Sequence, residues 1–449
     1  MLLLTHQHIH DWSYLAEGNA HLILTYVGHD INLKGHVLRL VKNHGKDSYS
    51  SHFTIDFSQH VIGALLGSSY IDAMVTVEVT VEFMEALYEK VLPDRLSNNR
   101  LDPICTSPSS GFLLKNWTRS FGPHDTWTFE IKPKWGFLPD SHLIDQKHRY
   151  LKKRRCRFCM HQRLRNYQHR TSTTMEKRYC PLDLYSGDPQ RMRQALMISL
   201  TQPHGYLKLF HNGHLMPHEQ WSALLSALFD GMDGDDRSTS TSSKRDDWIG
   251  KVADLLVNIL MEDPILAILK ERQQTLDTFD IEGIYPLYEK YGQQPTHDID
   301  HWKTIVQQYL KRQQSNSYTE NLDIQDFDDD QEEIRRIYEY VLSMILKDCS
   351  VMICLTKDYE SKKGDGVTTN SATAAPMTMK TKSDPLLTTS TSRLITSSTH
   401  SFRYHIKVVD LDLKKWDKIP YWFELDKQII QHNLWREYQD QEHDWTCLE

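Results

Sequence analysis

Three short segments carry charge in patterns that chemistry could use. In Glu130-Ile131-Lys132-Pro133-Lys134 the glutamate and both lysines share one face of an extended chain, opposite Ile131 and Pro133, because side chains alternate along a strand. Asp410-Leu411-Asp412-Leu413-Lys414 repeats the pattern, with acids and a lysine opposite two leucines. Such faces suit a site where carboxylates hold a metal and lysines hold phosphate. An ordinary solvated sheet face alternates in the same way, so either segment alone leaves both readings open. The third segment, Lys347-Asp348-Cys349-Ser350, is a polar loop. Together the three point to phosphoryl transfer, which needs a cationic cradle, a metal-holding carboxylate and a carboxylate that orients the attacking hydroxyl.

The loop at Asp348 has a rigid mount on both sides. Ile334, Ile337, Tyr338, Val341, Leu342 and Ile345 recur at helical spacing, and Val351 to Leu355 reads as a buried strand. The β-rich stretches Ala20 to Tyr26 and His36 to Lys42 flank Gly28, Asn32 and Gly35 and predict a hairpin. Ala73 to Val81 and Gly111 to Lys115 add strands to a small N-terminal antiparallel sheet, and Thr126 to Lys134 opens the second part as another strand. Asp230 to Asp247, and the Ser/Thr-rich stretch from about Glu360 to Ser401, hold too few large apolar residues to offset their ordering entropy. Both read as disordered insertions, the second between the strands of one hairpin.

With 449 residues and 39% hydrophobic content the chain exceeds what a single core usually serves. Two lobes are expected, at 1–117 and 118–449. No run of about 18 uncharged apolar residues occurs, and MLLLTHQHIHDW turns polar too soon for a signal peptide. The expectation is a soluble intracellular protein without a membrane partner, in the nucleus or the cytoplasm. The formal net charge is −8, yet Lys147 to Arg170 contains many Lys and Arg and no acid. Such asymmetry marks a local anion site, a solvated helix face or a nucleic-acid patch.

Read in order, AEGNAHLILTY, HVLRLVK, EIKPKWGFLP, CRFCMHQ, PLDLYSG, FDIEG, LKDCSVMI and VVDLDLK resemble the inositol-pentakisphosphate 2-kinases over nearly the whole chain. The resemblance implies an α+β, two-lobed kinase-like fold: an N-lobe with an antiparallel sheet, a larger mixed C-lobe, and ATP in the cleft between them. It implies an ATP-dependent enzyme that phosphorylates the 2-hydroxyl of inositol 1,3,4,5,6-pentakisphosphate, giving the hexakisphosphate, with magnesium as cofactor and a monomer as the working form. By the same resemblance Gly18, Asn19, Ala20 and His21 form the loop over the ATP phosphates, with Arg39 on those phosphates. Lys115, Asn116 and Trp117 form the adenine hinge, and Glu130 and Lys132 stand on the nucleotide side. Asp348 is the catalytic carboxylate, acting with Lys132, and Asp410 holds magnesium. Arg100, Lys134, Arg165, Lys414 and Lys418 grip substrate phosphates, Arg100 being preferred over Arg95. Five phosphate monoesters bring roughly −8 to −10 charges to one ring, which accounts for the demand for cations. The chain departs from the family pattern at Arg165, where lysine is common, and at Gly205-Tyr206, where an Asn-Asn pair binds substrate.

Cys156-x-x-Cys159, with His161 close by and His148, His169 and Cys180 flanking, is one CxxC without a second clean pair. Buried thiols are expected there and zinc is not. A zinc-holding insertion found in some plant members has no counterpart at Tyr288 to Trp302, which lacks cysteine. Two rival functions stay open: a kinase for another inositol polyphosphate, and a non-catalytic polyanion- or RNA-binding protein. The negative net charge, with Asp348, Asp410 and both EIKPK lysines in place, argues against an obligatory nucleic-acid partner.

Overall fold

A computed structural model describes residues 2–18, 20–42, 49–97, 109–122, 124–169, 178–202, 205–229, 241–292, 298–315, 329–358, 392–397, 400–440 and 446–448. The fold is α+β, with two six-stranded sheets. In the first, β1 (Leu2–Leu4), β2 (Trp12–Glu17), β3 (His21–Tyr26), β4 (His36–Val41), β5 (Val75–Val79) and β6 (Ser109–Lys115) run in the order β1-β5-β6-β4-β3-β2. Along β3 the buried residues Leu22, Leu24 and Tyr26 alternate with half-buried ones, the signature of a sheet covered on one face. Helix Val81–Ser97 covers that face, with Phe83, Met84, Leu87 and Val91 packed against Leu22, Leu38 and Val77. The expected β3–β4 hairpin is present and antiparallel. The sheet departs from a purely antiparallel one at β1–β5, which is parallel; the chain between them is long enough for the crossover that parallel neighbours require.

The second sheet comprises β7 (Trp127–Ile131), β8 (Leu207–His211), β9 (His214–Leu215), β10 (Ser350–Lys357), β11 (Arg393–Ser397) and β12 (His400–Val409), in the order β11-β12-β10-β7-β8-β9. Its central strand β10 is buried from Ser350 to Thr356, as its unbroken apolar run requires. β10 and β12 pair antiparallel, so the Ser/Thr-rich stretch does join hairpin partners, although its end forms β11. The preceding helix, Asp329–Leu346, buries Ile337, Tyr338, Val341, Leu342 and Ile345 on the predicted stripe. Residues 51–71, which lie between β4 and β5, pack through Phe53, Phe57, Val61 and Leu65 into this larger core. Helix Thr241–Glu262 reaches back into the Ser/Asp-rich segment; 230–240, 359–391, Asn19, Arg100 and His204 lie outside the described residues. No helix among the described residues is long and apolar enough to cross a membrane.

Candidate active site

Both charged segments begin where a strand ends. β7 stops at Ile131 and β12 at Val409, so Lys132 to Lys134 and Asp410 to Lys414 are not strand residues. The alternating faces expected from sequence are therefore corrected: Lys134 and Asp410 both take left-handed backbone, at φ 64° and 62°. For residues bearing a Cβ that conformation costs about 1–2 kcal/mol, and the surroundings enforce it. Around Lys134, the Gln273 amide donates to the Lys134 carbonyl at 2.9 Å and accepts from the Gly136 N–H at 2.8 Å, while Tyr179 Oη donates to the Pro133 carbonyl at 3.0 Å. The turns redirect the chain so that charges from three strand ends converge.

Asp348 sits on the loop between helix Asp329–Leu346 and β10, where Lys134 Nζ donates to its Oδ1 at 3.1 Å and Lys414 Nζ to its Oδ2 at 3.0 Å. Partial burial opposes ionisation, but the two ammonium groups overcome it and hold the carboxyl at about 2. Beside this triad Lys132 Nζ lies 3.3 Å from Asp410 Oδ2. Burial disfavours the charged Lys132, yet Asp410, Asp348 and Glu130 raise its pKa above the usual lysine range. The Ser350 hydroxyl faces both Glu130 Oε1, at 3.0 Å, and Asp410 Oδ2, at 3.3 Å. Lys208 on β8 completes the cluster, at 3.0 Å from Glu130 Oε2, because the β7–β8 register sets the two residues side by side.

The first sheet reaches this cluster through Arg39 of β4, whose Nη2 bonds Asp412 Oδ1. His21 at the start of β3 stands 3.0 Å from Arg39 Nη2 through Nε2 and 3.4 Å from Asp412 through Nδ1. A neutral imidazole satisfies both contacts, accepting at Nε2 and donating at Nδ1, and burial together with Arg39 keeps it neutral, its pKa held at about 4. The β2–β3 turn is tied down by Gly18 N–H donating to the His21 carbonyl at 2.9 Å, and the Ala20 carbonyl accepts from Lys42 N–H at 2.9 Å. Lys42 and Arg95 grip the fully buried Glu17 carboxylate at 2.6 and 2.9 Å. Arg95 is thus committed to the fold. At the end of β6, Asn116 and Trp117 are buried and Lys115 Nζ lies 4.4 Å over the Trp117 ring. Asn116 Nδ2 donates to Thr25 Oγ1 at 3.0 Å and Oδ1 accepts from Thr118 N–H at 3.0 Å. These side chains serve packing and leave mainly backbone for a ligand.

The basic run is divided by the fold. Lys152 is buried between Asp280, Glu282 and Asp426, each within 2.8 Å, and Arg157 Nε bonds Asp426 at 3.0 Å. That acidic trio already holds an ammonium, which disfavours a metal there. On helix Arg157–Gln168, His161 and Arg165 are one turn apart, and burial with Arg157, Arg165 and Lys134 lowers the His161 pKa to about 4. Arg165 and Lys418 are exposed. Tyr206 stands where the family's Asn-Asn falls; its ring packs against Phe158 and Tyr179, and its hydroxyl accepts from Gln162 at 2.5 Å. An exposed Asp410 carboxylate beside the Ser350 hydroxyl is a hard-oxygen set that fits magnesium, which keeps several waters; Asp412 is occupied by Arg39 and His21.

Comparison with known proteins bears on what this constellation serves. The family model described as inositol-pentakisphosphate 2-kinase matches residues 14–428. The chain belongs to the inositol-pentakisphosphate 2-kinase family. It is accordingly an enzyme, a kinase. An inositol-pentakisphosphate 2-kinase of Danio rerio is 28% identical over 499 aligned residues, covering 94% of this chain and 93% of its own. That of Oryza sativa subsp. indica is 29% identical over 465, covering 94% and 92%, and that of Arabidopsis thaliana 26% over 472, covering 96% and 94%. Against this family background, Ser350 and Lys208 are members of the cluster that the motifs did not single out as site residues, and His161 lies within the electrostatic reach of Lys134. Ser350 had a signal, since it is the last residue of the segment read as the Asp348 loop; Lys208 had none, because a cross-strand register cannot be read from one strand.

Proposed function

We propose that the enzyme transfers the γ-phosphoryl group of ATP to the 2-hydroxyl of inositol 1,3,4,5,6-pentakisphosphate, forming inositol hexakisphosphate. The observation that carries this reading is the Asp348 carboxylate held between Lys134 and Lys414. The lysines exchange part of their contact with Asp348 for substrate phosphate, and the released carboxylate oxygen accepts the hydrogen bond of the attacking hydroxyl. As the new O–P bond forms and the bond to ADP breaks, the hydroxyl proton passes to Asp348 and then to solvent. A carboxylate held at about 2 is a weak base, so its main work is orientation, with proton transfer late.

In this reading the lobes are 1–117 and 118–449, and ATP lies in the cleft between them. The turn at Gly18, Asn19, Ala20 and His21 with Arg39 covers its phosphates, Lys115 to Trp117 flank the adenine, and Glu130 and Lys132 complete the nucleotide side. Asp410 would hold magnesium, which when bound neutralises charge on the transferred phosphoryl group. Lys134, Arg165, Lys414 and Lys418 receive the substrate, and Arg100 adds a contact from the N-lobe. The protein works as a monomer in the nucleus or cytoplasm. A second reading, activity on another inositol polyphosphate, is favoured by Tyr206, whose packed ring replaces the family's amide pair.

The test is incubation with magnesium-ATP and the pentakisphosphate lacking only its 2-phosphate, with products separated by anion exchange. Absence of hexakisphosphate from folded protein sinks the proposal. Lys134→Met keeps the Cβ and should weaken pentakisphosphate binding by about 10- to 100-fold, since a hydrogen bond to a charged group contributes roughly 1.5–3 kcal/mol. Calorimetry with and without nucleotide reads it, and an unchanged Kd would remove Lys134 from the substrate site.

His161 gives a pH-linked prediction. Its pKa, held at about 4, must rise when bound phosphate offsets Lys134 and Arg165. The bound state then takes up a proton that the free state lacks, and this contribution to binding strengthens as pH falls from about 6.5 towards 4. Calorimetry in buffers of different ionisation enthalpy should show less proton uptake in His161→Asn than in wild type; equal uptake would remove His161 from the phosphate-binding face.

A further inference from the structure

One buried amide touches the backbone on both sides of the Lys134–Asp348 contact. Gln273 lies on helix Ile265–Leu276 and is fully buried, while its neighbour Gln274 is exposed. Its Nε2 donates to the Lys134 carbonyl at 2.9 Å and to the Leu346 carbonyl at 3.0 Å, and its Oε1 accepts from the Gly136 N–H at 2.8 Å. These partners fix the orientation of the amide, because a flipped group would set its oxygen against two carbonyls and its NH2 against an N–H. Tyr185 closes the space around it: its Oη stands 3.3 Å from Nε2, and its ring lies where a Cβ on Gly136 would come within 2.7 Å.

The two carbonyls belong to the segments that carry the reacting geometry. Leu346 ends helix Asp329–Leu346, where carbonyls lack partners within the helix, and Asp348 follows two residues on. Its carbonyl also takes the weaker Cys349 thiol at 3.1 Å. Lys134 is the left-handed residue whose Nζ meets Asp348 Oδ1. The helices themselves are tied together, with Ser343 Oγ donating to the Gln273 carbonyl at 2.8 Å and Asp277, one turn past Gln273, holding Lys347. From these contacts we infer that Gln273 is a positioning residue, a single amide that sets the Lys134 turn and the Asp348 loop at the separation phosphoryl transfer requires. The inference rests on the role proposed for Asp348. Gln273 meets neither reactant; it acts by holding the backbone from which the ammonium and the carboxylate project.

Gln273→Met keeps the side-chain length but deprives two carbonyls and one N–H of their partner. It should lower kcat by about 30- to 100-fold, the scale of a misplacement of about 1 Å, with the nucleotide KM within about threefold of wild type. Gln273→Glu is the conservative variant. The facing carbonyls hold its buried carboxyl neutral, and its O–H and remaining oxygen restore two of the three bonds, so the loss should shrink to about 3- to 10-fold. In an Asp348→Asn background Gln273→Met should cost less than about threefold more, because the group it positions is already gone, whereas a general loss of structure adds in full. Should Gln273→Met fail to fold, the same cycle with Gln273→Glu carries the test. If wild type makes no hexakisphosphate, the acceptor is misassigned and the crystal structure of the variant decides: Lys134 should leave its left-handed backbone and Nζ its contact with Asp348. A kcat in Gln273→Met within about threefold of wild type, equal losses with and without the Asp348 carboxylate, or an unmoved Lys134–Asp348 contact would overturn the inference.

Discussion

Asp348→Asn should lower kcat by on the order of 10²- to 10⁴-fold while nucleotide affinity changes little. The amide keeps the size of the carboxylate but can no longer accept a proton, and it turns a donor towards one of the two ammonium groups now bonded to it. Lys134 and Lys414 then lose the charge that draws them together. Pentakisphosphate affinity should hold or rise, because the lysines become free for phosphate and a repelling carboxylate is gone. A kcat within about threefold of wild type would show that Asp348 does not orient the attacking hydroxyl. Nucleotide binding, measured separately, checks that the site has kept its shape.

Asp277→Ala should cost about 3–5 kcal/mol of stability, the loss expected when a buried ion pair keeps only one partner. Lys347, the residue before Asp348, is fully buried, with its ammonium bonded to Asp277 Oδ2 and set 4.0 Å over the Trp135 ring. Burial pushes the Lys347 pKa below the usual lysine value, and Asp277 pulls against that shift. Without Asp277 the charge has no full compensation. Chemical denaturation should show the midpoint falling in the single variant and recovering by more than half in Asp277→Ala/Lys347→Met. If the single variant lost under about 1 kcal/mol, the pair would not be what fixes the Asp348 loop.

Most strands were legible because apolar alternation and turn residues act locally: β3, β4 and β5 lie within a residue or two of their sequence expectations. The site was legible in its residue types but not in its shape. EIKPK and DLDLK alternate as strands do, yet the strands stop at Ile131 and Val409 and the chain turns at left-handed Lys134 and Asp410, a conformation that nothing in a lysine announces and that an aspartate only makes less rare. The Arg39–Asp412 contact joins residues 373 apart in the chain, a distance over which no local rule operates. The basic run disclosed its sign but not its partners: Lys152 looked available for a ligand and is consumed by Asp280, Glu282 and Asp426. Cys447, whose Sγ lies within 4.8 Å of the Sγ atoms of Cys156, Cys159 and Cys180, was invisible to a spacing rule because those residues lie hundreds of positions away.

Lys134 and Asp410 also set a trap for anyone seeking a hardier version of this enzyme. Glycine at either position would relieve about 1–2 kcal/mol of backbone strain, and part of that gain would survive glycine's greater freedom in the unfolded chain. A search scored on melting temperature alone would therefore retain the two substitutions that remove the side chains proposed to receive substrate phosphate and magnesium. Heat tolerance and turnover pull in opposite directions at these two φ angles.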